Sequence, residues 1–314
     1  MSDPGGWTNP DQPRSDLPPA PPPPGPTSGH GKPGVIPLRP LSVGEILDGA
    51  VATMRRHPAL VFGMSALIAV VNAALSLGAG YLLLRDQAAV VAPGPAATQH
   101  EQLDYLGALV RQTSGTAGVT VVITVLTHTF LAGFMTVVVG KAVLGRPVRL
   151  REALAELRPR LLPLLGVTIV YAIVVTVASI FFLIPGIWVY VLFSLAAPAL
   201  VLERSGIGES LRRSRLLVRG AWWRVFGVLL LTLIVQEIIS VIIQIPFSLQ
   251  LFANLDSPAT ASASLGTQLL SALGTVVAET IVTPFVAGAT VLLYIDQRMR
   301  KEGMDIQLAR AAGQ

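Results

Sequence analysis

The chain has 314 residues and a net charge of +5; 52% of its residues are hydrophobic and 13% are charged, and cysteine is absent. Soluble domains carry about 25% charged residues, so this composition is typical of a protein solvated mainly by lipid. The absence of cysteine excludes disulfides, thiolate metal sites and thiol nucleophiles, and the basic excess is expected in cytoplasmic loops rather than on a domain that binds nucleic acid.

Residues 1–38 form a proline-rich segment that predicts a disordered cytoplasmic tail. Thirteen of the 24 prolines lie in the first 40 residues, and such a composition favours polyproline II over a packed core. Pro18 to Pro21 and Pro21 to Pro24 match the PxxP ligand pattern. The tail is therefore either a solvated spacer, the commoner case, or a docking segment for a protein partner. No apolar segment near the N-terminus has the form of a signal peptide, so we expect no cleavage there.

Six apolar segments follow and predict an all-α polytopic membrane protein. Between the first two, residues 86–116 predict a polar loop with a short helix at about 101–111. The fourth segment begins after an Ile184-Pro185-Gly186 turn and is only about 24 Å long, so either this turn lies close to the hydrocarbon boundary or the membrane thins there. The membrane domain covers 39–303, a tail covers 304–314, and the predicted spans are 58–84, 118–144, 161–183, 187–202, 222–251 and 265–295.

Three charged amphipathic segments precede pairs of spans, at Leu41–Arg56, Arg146–Arg160 and Ser205–Arg219. Each has an acidic residue near its start and arginines near its end, which suits a helix macrodipole. In the first segment, Ser42 and Glu45 have the spacing of a capping box. We expect all three to lie in the cytoplasmic membrane interface with their arginines at anionic headgroups. The shared pattern is either a structural repeat or the common form of a short cytoplasmic loop. The candidate lipid-contacting residues are Arg55, Arg56, Arg158, Arg160, Arg212, Arg213, Arg215 and Arg219.

The distribution of lysine and arginine predicts the orientation. With the N-terminus inside, 21 of the 23 basic residues fall on the cytoplasmic side, and only Arg85 and Arg111 fall outside. Because cytoplasmic loops are enriched in basic residues, both termini are expected in the cytoplasm.

Two glutamates are predicted near the middle of the bilayer, Glu237 in the fifth span and Glu279 in the sixth. Ionisable groups at this depth are costly and mark a candidate functional site. They serve either as a relay or polar cavity for a proton, a cation, a solute or a headgroup, or, in protonated form, as hydrogen-bonding links between helices. No basic partner is expected at their depth. The residues that share their helix faces are Ser240, Gln244, Thr275 and Thr283.

Sequence signatures of catalysis are missing, since the chain has no Walker A loop, no GxSxG and no HExxH. The four histidines lie far apart and show no ligand spacing, so neither a metal nor another cofactor is predicted.

Several short motifs, in order, resemble a bacterial family of six-span proteins, the glycerophosphoryl diester phosphodiesterase membrane-domain family. They are Arg39 to Ala50, the turn at Ile184 to Trp188, Glu203 with the helix Arg212 to Arg219, and the ending Asp296 to Gly303. The resemblance covers about residues 39–305 and implies a six-helix membrane module with a membrane-associated role. The phosphodiesterase domain of that family is absent, so no catalytic residue carries over.

Three functions remain open from the sequence. The first is a non-enzymatic integral membrane protein, a scaffold or lipid-associating module of the bacterial cytoplasmic membrane. The second is a small transporter or channel that uses Glu237 and Glu279. The third is a membrane-embedded enzyme that acts on lipid. Membrane lipids are the expected partners in the first hypothesis, nucleic acid is not expected, and the sequence does not indicate an oligomeric state.

Overall fold

The computed structural model describes residue 36, residues 39–84, residue 94 and residues 98–181, 183–253 and 265–302. Side chains are described in these ranges except at 84, 112, 113, 116, 180, 181, 249–253 and 265. The chain divides into two units, 1–32 and 33–314, and all described residues belong to the second. The predicted proline-rich tail (apart from residue 36), most of the loop before residue 98, the loop at 254–264 and the tail at 304–314 lie outside the described residues.

Every regular element in the described ranges is helical. In chain order these elements are α1 (Val43–Arg56), α2 (Pro58–Leu84), α3 (Gln99–Val143), α4 (Leu150–Leu157), a 3-10 turn (Arg158–Arg160), α5 (Leu161–Phe181), α6 (Leu183–Phe193), α7 (Ala196–Glu203), α8 (Ile207–Val218), α9 (Trp222–Ala253) and α10 (Leu265–Glu302).

Six helical segments in the described ranges are long and apolar enough to cross a membrane. This confirms the prediction of an all-helical chain with six candidate spans, although several boundaries differ from those expected. The segments are Pro58–Leu83, Ala117–Val143, Leu150–Ser179, Leu183–Glu203, Trp222–Ser248 and Gly266–Glu302.

Helix α1 begins at the capping box that its sequence predicts. Ser42 accepts a hydrogen bond from the backbone of Glu45, and the Glu45 carboxylate accepts one from the backbone of Ser42, which satisfies two otherwise free N–H groups. The apolar face of the helix, with Ile46 and Ala50, is buried, and Gly49 lies directly against Leu292 of α10. This face therefore packs on protein, whereas the sequence analysis expected it to face lipid. The packing surface is the last part of the sixth predicted span, where Gly288 of α10 also lies against Ala50.

Helix α3 is one continuous element of 45 residues, where a loop with a separate short helix was predicted. A second capping box, between Thr98 and Glu101, starts it, and no proline interrupts residues 99–143. At 1.5 Å per residue the helix is about 67 Å long, roughly twice the hydrocarbon core. The polar first part of α3 therefore continues the axis of the second span.

The second amphipathic segment includes helix α4, whose buried side packs on α3. Leu157 of α4 and Leu164 of α5 both lie against Gly133 of α3, and Lys141 of α3 pairs with Glu152 at 3.5 Å. Since Gly133 is ten residues before the end of α3, α4 descends along that helix by about 15 Å. The third candidate span consequently starts at residue 150 instead of 161. The 3-10 turn tolerates Pro159 because the first N–H groups of α5 have no intrahelical partner.

The predicted turn at Ile184-Pro185-Gly186 is the first turn of α6. Helices α5 and α6 form a tight hairpin, in which Gly186 packs directly against Ser179. At the other end, the Arg160 guanidinium donates to the carbonyl of Val201. The hairpin therefore pairs α5 with α6 and then α7 along its length.

The fourth span breaks at Ser194 and Leu195, between α6 and α7. Ser214 of α8 closes the gap: its Oγ donates to the Leu192 carbonyl at 2.8 Å and accepts from the Leu195 backbone N–H at 3.2 Å. Backbone groups freed inside a membrane protein need such partners, so α8 is anchored to the break by one buried hydroxyl.

Candidate functional site

Asp296 is the centre of a buried charged cluster at the end of the bundle where α9 begins and α10 ends. Its side chain is 0% exposed. It accepts hydrogen bonds from Arg224 Nη2 at 3.0 Å and Arg300 Nε at 2.9 Å, and from the Leu41 backbone N–H at 2.8 Å. The Leu41 carbonyl in turn accepts from both guanidiniums, at 2.6 and 2.7 Å. The peptide before α1 is thus clamped between α9 and α10.

Glu203 organises a second group of ion pairs beside the first. It accepts two hydrogen bonds from Arg213 Nε, each at 2.9 Å, and one from the buried hydroxyl of Tyr294. Glu302 pairs with Arg213 and, at 3.0 Å, with Arg298. Burial lowers the pKa of Arg213, but the hydrogen bonds and charges of Glu203 and then Glu302 outweigh it and raise that pKa above its ordinary value. These charges neutralise one another and hold α7, α8 and α10 together.

The intramembrane polar residues divide into separate groups. Glu279 accepts from Asn72 Nδ2 of α2 at 3.3 Å, and its Oε1 lies 3.8 Å from His128 Nε2 of α3. Thr127 donates to the Asn72 side chain at 3.1 Å. Glu279 therefore has a titratable neighbour, which corrects the expectation that no basic group lies at its depth.

Glu237 does not join this group. It is exposed, and the contact described for its carboxylate is from the adjacent Gln236, at 3.3 Å. Gln244 instead donates to Thr275 at 3.1 Å and so links α9 to α10. Ser240 is half-buried. The predicted stripe is therefore split, with its two glutamates on different faces of the bundle.

Two of the eight predicted lipid-contacting arginines are engaged inside the protein. Arg160 is bonded to the Val201 carbonyl, and Arg213 to Glu203 and Glu302. The other six are exposed: Arg55, Arg56, Arg158, Arg212, Arg215 and Arg219.

Arg215 and Arg219 line a pocket of about 300 Å³, the tryptophan–arginine pocket. Its other lining residues are Trp188, Leu192, Gly220 and Trp222. The indole of Trp222 donates to the Trp188 carbonyl at 3.4 Å and stacks on Phe226 at 5.1 Å. Lys301 donates to the carbonyls of Leu216 and Arg219, which fixes the end of α8 beside the pocket.

Two adjoining cavities, of about 300 and 420 Å³, lie among the spanning helices. The larger is lined by α3, α5, α6 and α7, and the smaller extends to α9 and α10, where it includes Thr283. The residues common to both are His128, Ala132, Tyr171, Tyr190, Ser194 and Ala197. In the described part of the chain, no group of three or more His, Asp or Glu side chains is placed to hold a metal ion.

Several of these residues were not identified by sequence reasoning. Asp296 and Arg224 are 72 positions apart, and only their places at the ends of neighbouring antiparallel spans suggest a pair. His128 is the eleventh residue of the second predicted span and Glu279 the fifteenth of the sixth. Both spans are predicted to run inward, so a comparison of depths could have placed the two residues within about one helical turn of each other. The tryptophan–arginine pocket depends on how α6 meets α8, for which the sequence carries no signal.

The family model of a domain of unknown function, DUF7847, matches residues 166–296. The match runs from α5 to Asp296 and includes the tryptophan–arginine pocket, Glu237 and Glu279. No curated protein and no solved structure matches the chain.

Proposed function

We propose that the chain is a non-enzymatic integral membrane protein that associates with anionic lipid, a scaffold or lipid-binding module of a bacterial cytoplasmic membrane. The observation that carries this proposal is the tryptophan–arginine pocket. Arg215 and Arg219 line it, and neither forms an ion pair with any described residue, unlike Arg213 on the same helix. Two arginines without a carboxylate leave a net positive pocket.

The chemistry of the pocket suits a phosphodiester headgroup. A guanidinium binds phosphate oxygens through parallel N–H groups. Tryptophan favours the boundary between headgroups and acyl chains, and Trp188 and Trp222 lie on the walls beside the arginines. The surrounding exposed arginines add a diffuse attraction to an anionic leaflet, about 1 kcal/mol for each basic residue near the surface.

The orientation belongs to the same proposal. Placing both termini in the cytoplasm puts 21 of the 23 basic residues on that side, and it places the pocket at the cytoplasmic leaflet. The proposed kinship with the glycerophosphoryl diester phosphodiesterase membrane-domain family supports a membrane-associated role. Its motif residues Glu203, Arg213 and Asp296 lie in the two ion-pair groups, where they serve the fold rather than catalysis.

The proposal is tested by the effect of lipid on thermal unfolding. A ligand that binds the native state raises the midpoint of unfolding, so phosphatidylglycerol added to the purified chain in detergent should raise it, and phosphatidylcholine should not. The double variant Arg215→Gln/Arg219→Gln should lose most of this shift. Arg55→Gln/Arg56→Gln removes the same charge from exposed positions outside the pocket and should keep it. Equal shifts in both double variants contradict a specific site.

A second candidate function is a small transporter or channel. The sequence pointed to Glu237 and Glu279 together, but the geometry favours Glu279 with His128, because these two titratable groups lie 3.8 Å apart beside the cavities. Proton or cation flux in proteoliposomes tests it. The transport hypothesis predicts that Glu279→Gln stops the flux and Glu237→Gln does not, and flux unchanged by Glu279→Gln removes this hypothesis.

A further inference from the structure

We infer that the two adjoining cavities form a second lipid site, for an uncharged lipid whose head carries a hydroxyl or carbonyl group. This site is separate from the tryptophan–arginine pocket and does not depend on it. All of its lining residues come from helices that are long and apolar enough to span the membrane, so its ligand would enter from the bilayer.

The size of the cavities matches a small ligand or a lipid head with the first part of its chain. Volumes of about 300 and 420 Å³ lie at the lower end of the range of ligand pockets, about 300 to 1,000 Å³. Six residues are common to both cavities, which makes them neighbouring compartments of one site. Tyr190, one of the six, is 44% exposed, so the site can be reached from the surface of the protein.

Two residues that line this space, His128 and Tyr190, carry polar groups without partners in the described part of the chain. His128 Nε2 is buried and has no hydrogen-bond partner in the described part of the chain, because Glu279 at 3.8 Å is too distant for a hydrogen bond. The phenol oxygen of Tyr190 makes no hydrogen bond to any described residue, whereas the neighbouring Tyr171 donates to the Tyr190 carbonyl at 3.3 Å. Buried polar groups normally have a partner, which a ligand hydroxyl or carbonyl would supply for His128. The hydroxyl of the partly exposed Tyr190 is free to bond the same ligand.

The absence of charged residues from the described lining disfavours an anionic headgroup. Among the described lining residues of both cavities none is Arg, Lys, Asp or Glu. No cation among these lining residues is available to pair with a phosphate. Because an unpaired buried charge is strongly disfavoured, the ligand head must be neutral. Besides the histidine and tyrosines, the uncharged hydrogen-bonding residues of the wall are Thr124, Thr129, Thr136, Thr168, Ser194, Gln236, Thr283 and Thr290.

Two classes of membrane lipid share this chemistry. A diacylglycerol offers a hydroxyl and two ester carbonyls, and a quinone offers two ring carbonyls. The probes are therefore dioleoylglycerol and a short-chain naphthoquinone, with phosphatidylglycerol as the charged comparison. Each is added to the delipidated full-length chain, and the bound fraction is measured by native mass spectrometry.

Two pairs of variants make the test specific. Ala132→Leu fills the shared part of the cavities, whereas Ala74→Leu makes the same change at an exposed position of α2. Tyr190→Phe removes only a hydroxyl, and Tyr81→Phe removes one from an exposed tyrosine.

At least one neutral probe should bind, and the probe that does identifies the class. Ala132→Leu should abolish that binding, and Tyr190→Phe should weaken it about fivefold, the effect of one hydrogen bond. Ala74→Leu and Tyr81→Phe should leave it unchanged. The inference is overturned if neither neutral probe binds, or if Ala132→Leu and Tyr190→Phe bind the probe like the wild type. It is also overturned if Ala132→Leu reduces the binding of phosphatidylglycerol as strongly as it reduces the binding of the neutral probe. Loss of phosphatidylglycerol binding in the Arg215 and Arg219 variant has no bearing on this site.

Discussion

Asp296 accepts a hydrogen bond from the backbone N–H of Leu41 at 2.8 Å, although the two residues are 255 positions apart. The same carboxylate pairs with Arg224 and Arg300, whose guanidiniums bind the Leu41 carbonyl. One buried charge therefore joins the peptide before α1 to the start of α9 and the end of α10. This relationship makes Asp296 the residue on which the packing of α1 depends.

The variant Asp296→Asn should destabilise the protein, because it keeps the shape of the side chain but leaves Arg224 and Arg300 without a counter-charge. Breaking a fully buried pair costs about 3–5 kcal/mol, and we expect about 2–3 kcal/mol here because these arginines are 28% and 35% exposed. Thermal unfolding followed by circular dichroism in detergent measures the change. Asp48→Asn, at an exposed position of α1, is the control and should have little effect.

Tyr294→Phe tests the ion pairs around Glu203. The Tyr294 hydroxyl donates to that carboxylate and the ring is fully buried, so the variant removes one hydrogen bond to a charged group and leaves the packing in place. We expect a loss of about 1.5–3 kcal/mol in the free energy of unfolding. Tyr81→Phe, at an exposed tyrosine, should be neutral. A stability of Tyr294→Phe equal to the wild type would show that the hydroxyl contributes nothing.

Hydropathy predicted the number of candidate spans, and a local signal predicted the start of α1. The six apolar segments reappear as six candidate spans, and the Ser42 and Glu45 capping box forms as its residues suggest. These features depend on residues close together in sequence. Helix caps and the length of an apolar segment depend on neighbouring residues in the sequence, so one sequence is enough to predict them.

Features that depend on packing between distant segments were not predicted. Residues 146–160 have the composition of a surface helix. Their composition does not indicate that Leu157 packs against Gly133 of α3. Glu237 and Glu279 share a predicted depth, but rotation about their helix axes places Glu279 beside Asn72 and His128 and leaves Glu237 exposed. The depth of a residue in the membrane follows from its position in the span, whereas the orientation of a helix face is set by packing against neighbouring helices.

Gly186→Ala should destabilise the α5–α6 hairpin. An added Cβ would lie 3.0 Å from the Ser179 Cα and closer to its side chain, so the two helices must separate. Overpacking of this kind costs about 1–3 kcal/mol. Gly227→Ala, in α9, meets nothing within 4 Å and should be neutral or slightly stabilising. Thermal unfolding of both variants distinguishes the outcomes, and equal midpoints would contradict the close approach at Gly186.

Glu279→Leu and Glu237→Leu should differ in stability despite their similar predicted depth. Loss of Glu279 leaves Asn72 Nδ2 without its acceptor, and hydrogen bonds between helices in membranes contribute about 0.6 kcal/mol on average and up to about 1.7. Glu237 is exposed on its helix, so its replacement by leucine removes a polar group from an apolar span and should be neutral or stabilising. The midpoint of unfolding of each variant in detergent is the readout. A larger loss for Glu237→Leu would contradict the arrangement described.

The central claim is that the tryptophan–arginine pocket holds the phosphate of an anionic lipid. The most direct measurement is native mass spectrometry of the chain released from nanodiscs of equal parts phosphatidylglycerol and phosphatidylcholine. The account predicts that the wild type and Arg55→Gln/Arg56→Gln retain phosphatidylglycerol in preference to phosphatidylcholine, and that Arg215→Gln/Arg219→Gln loses the preference. Retention of the same lipids by Arg215→Gln/Arg219→Gln and the wild type would contradict it.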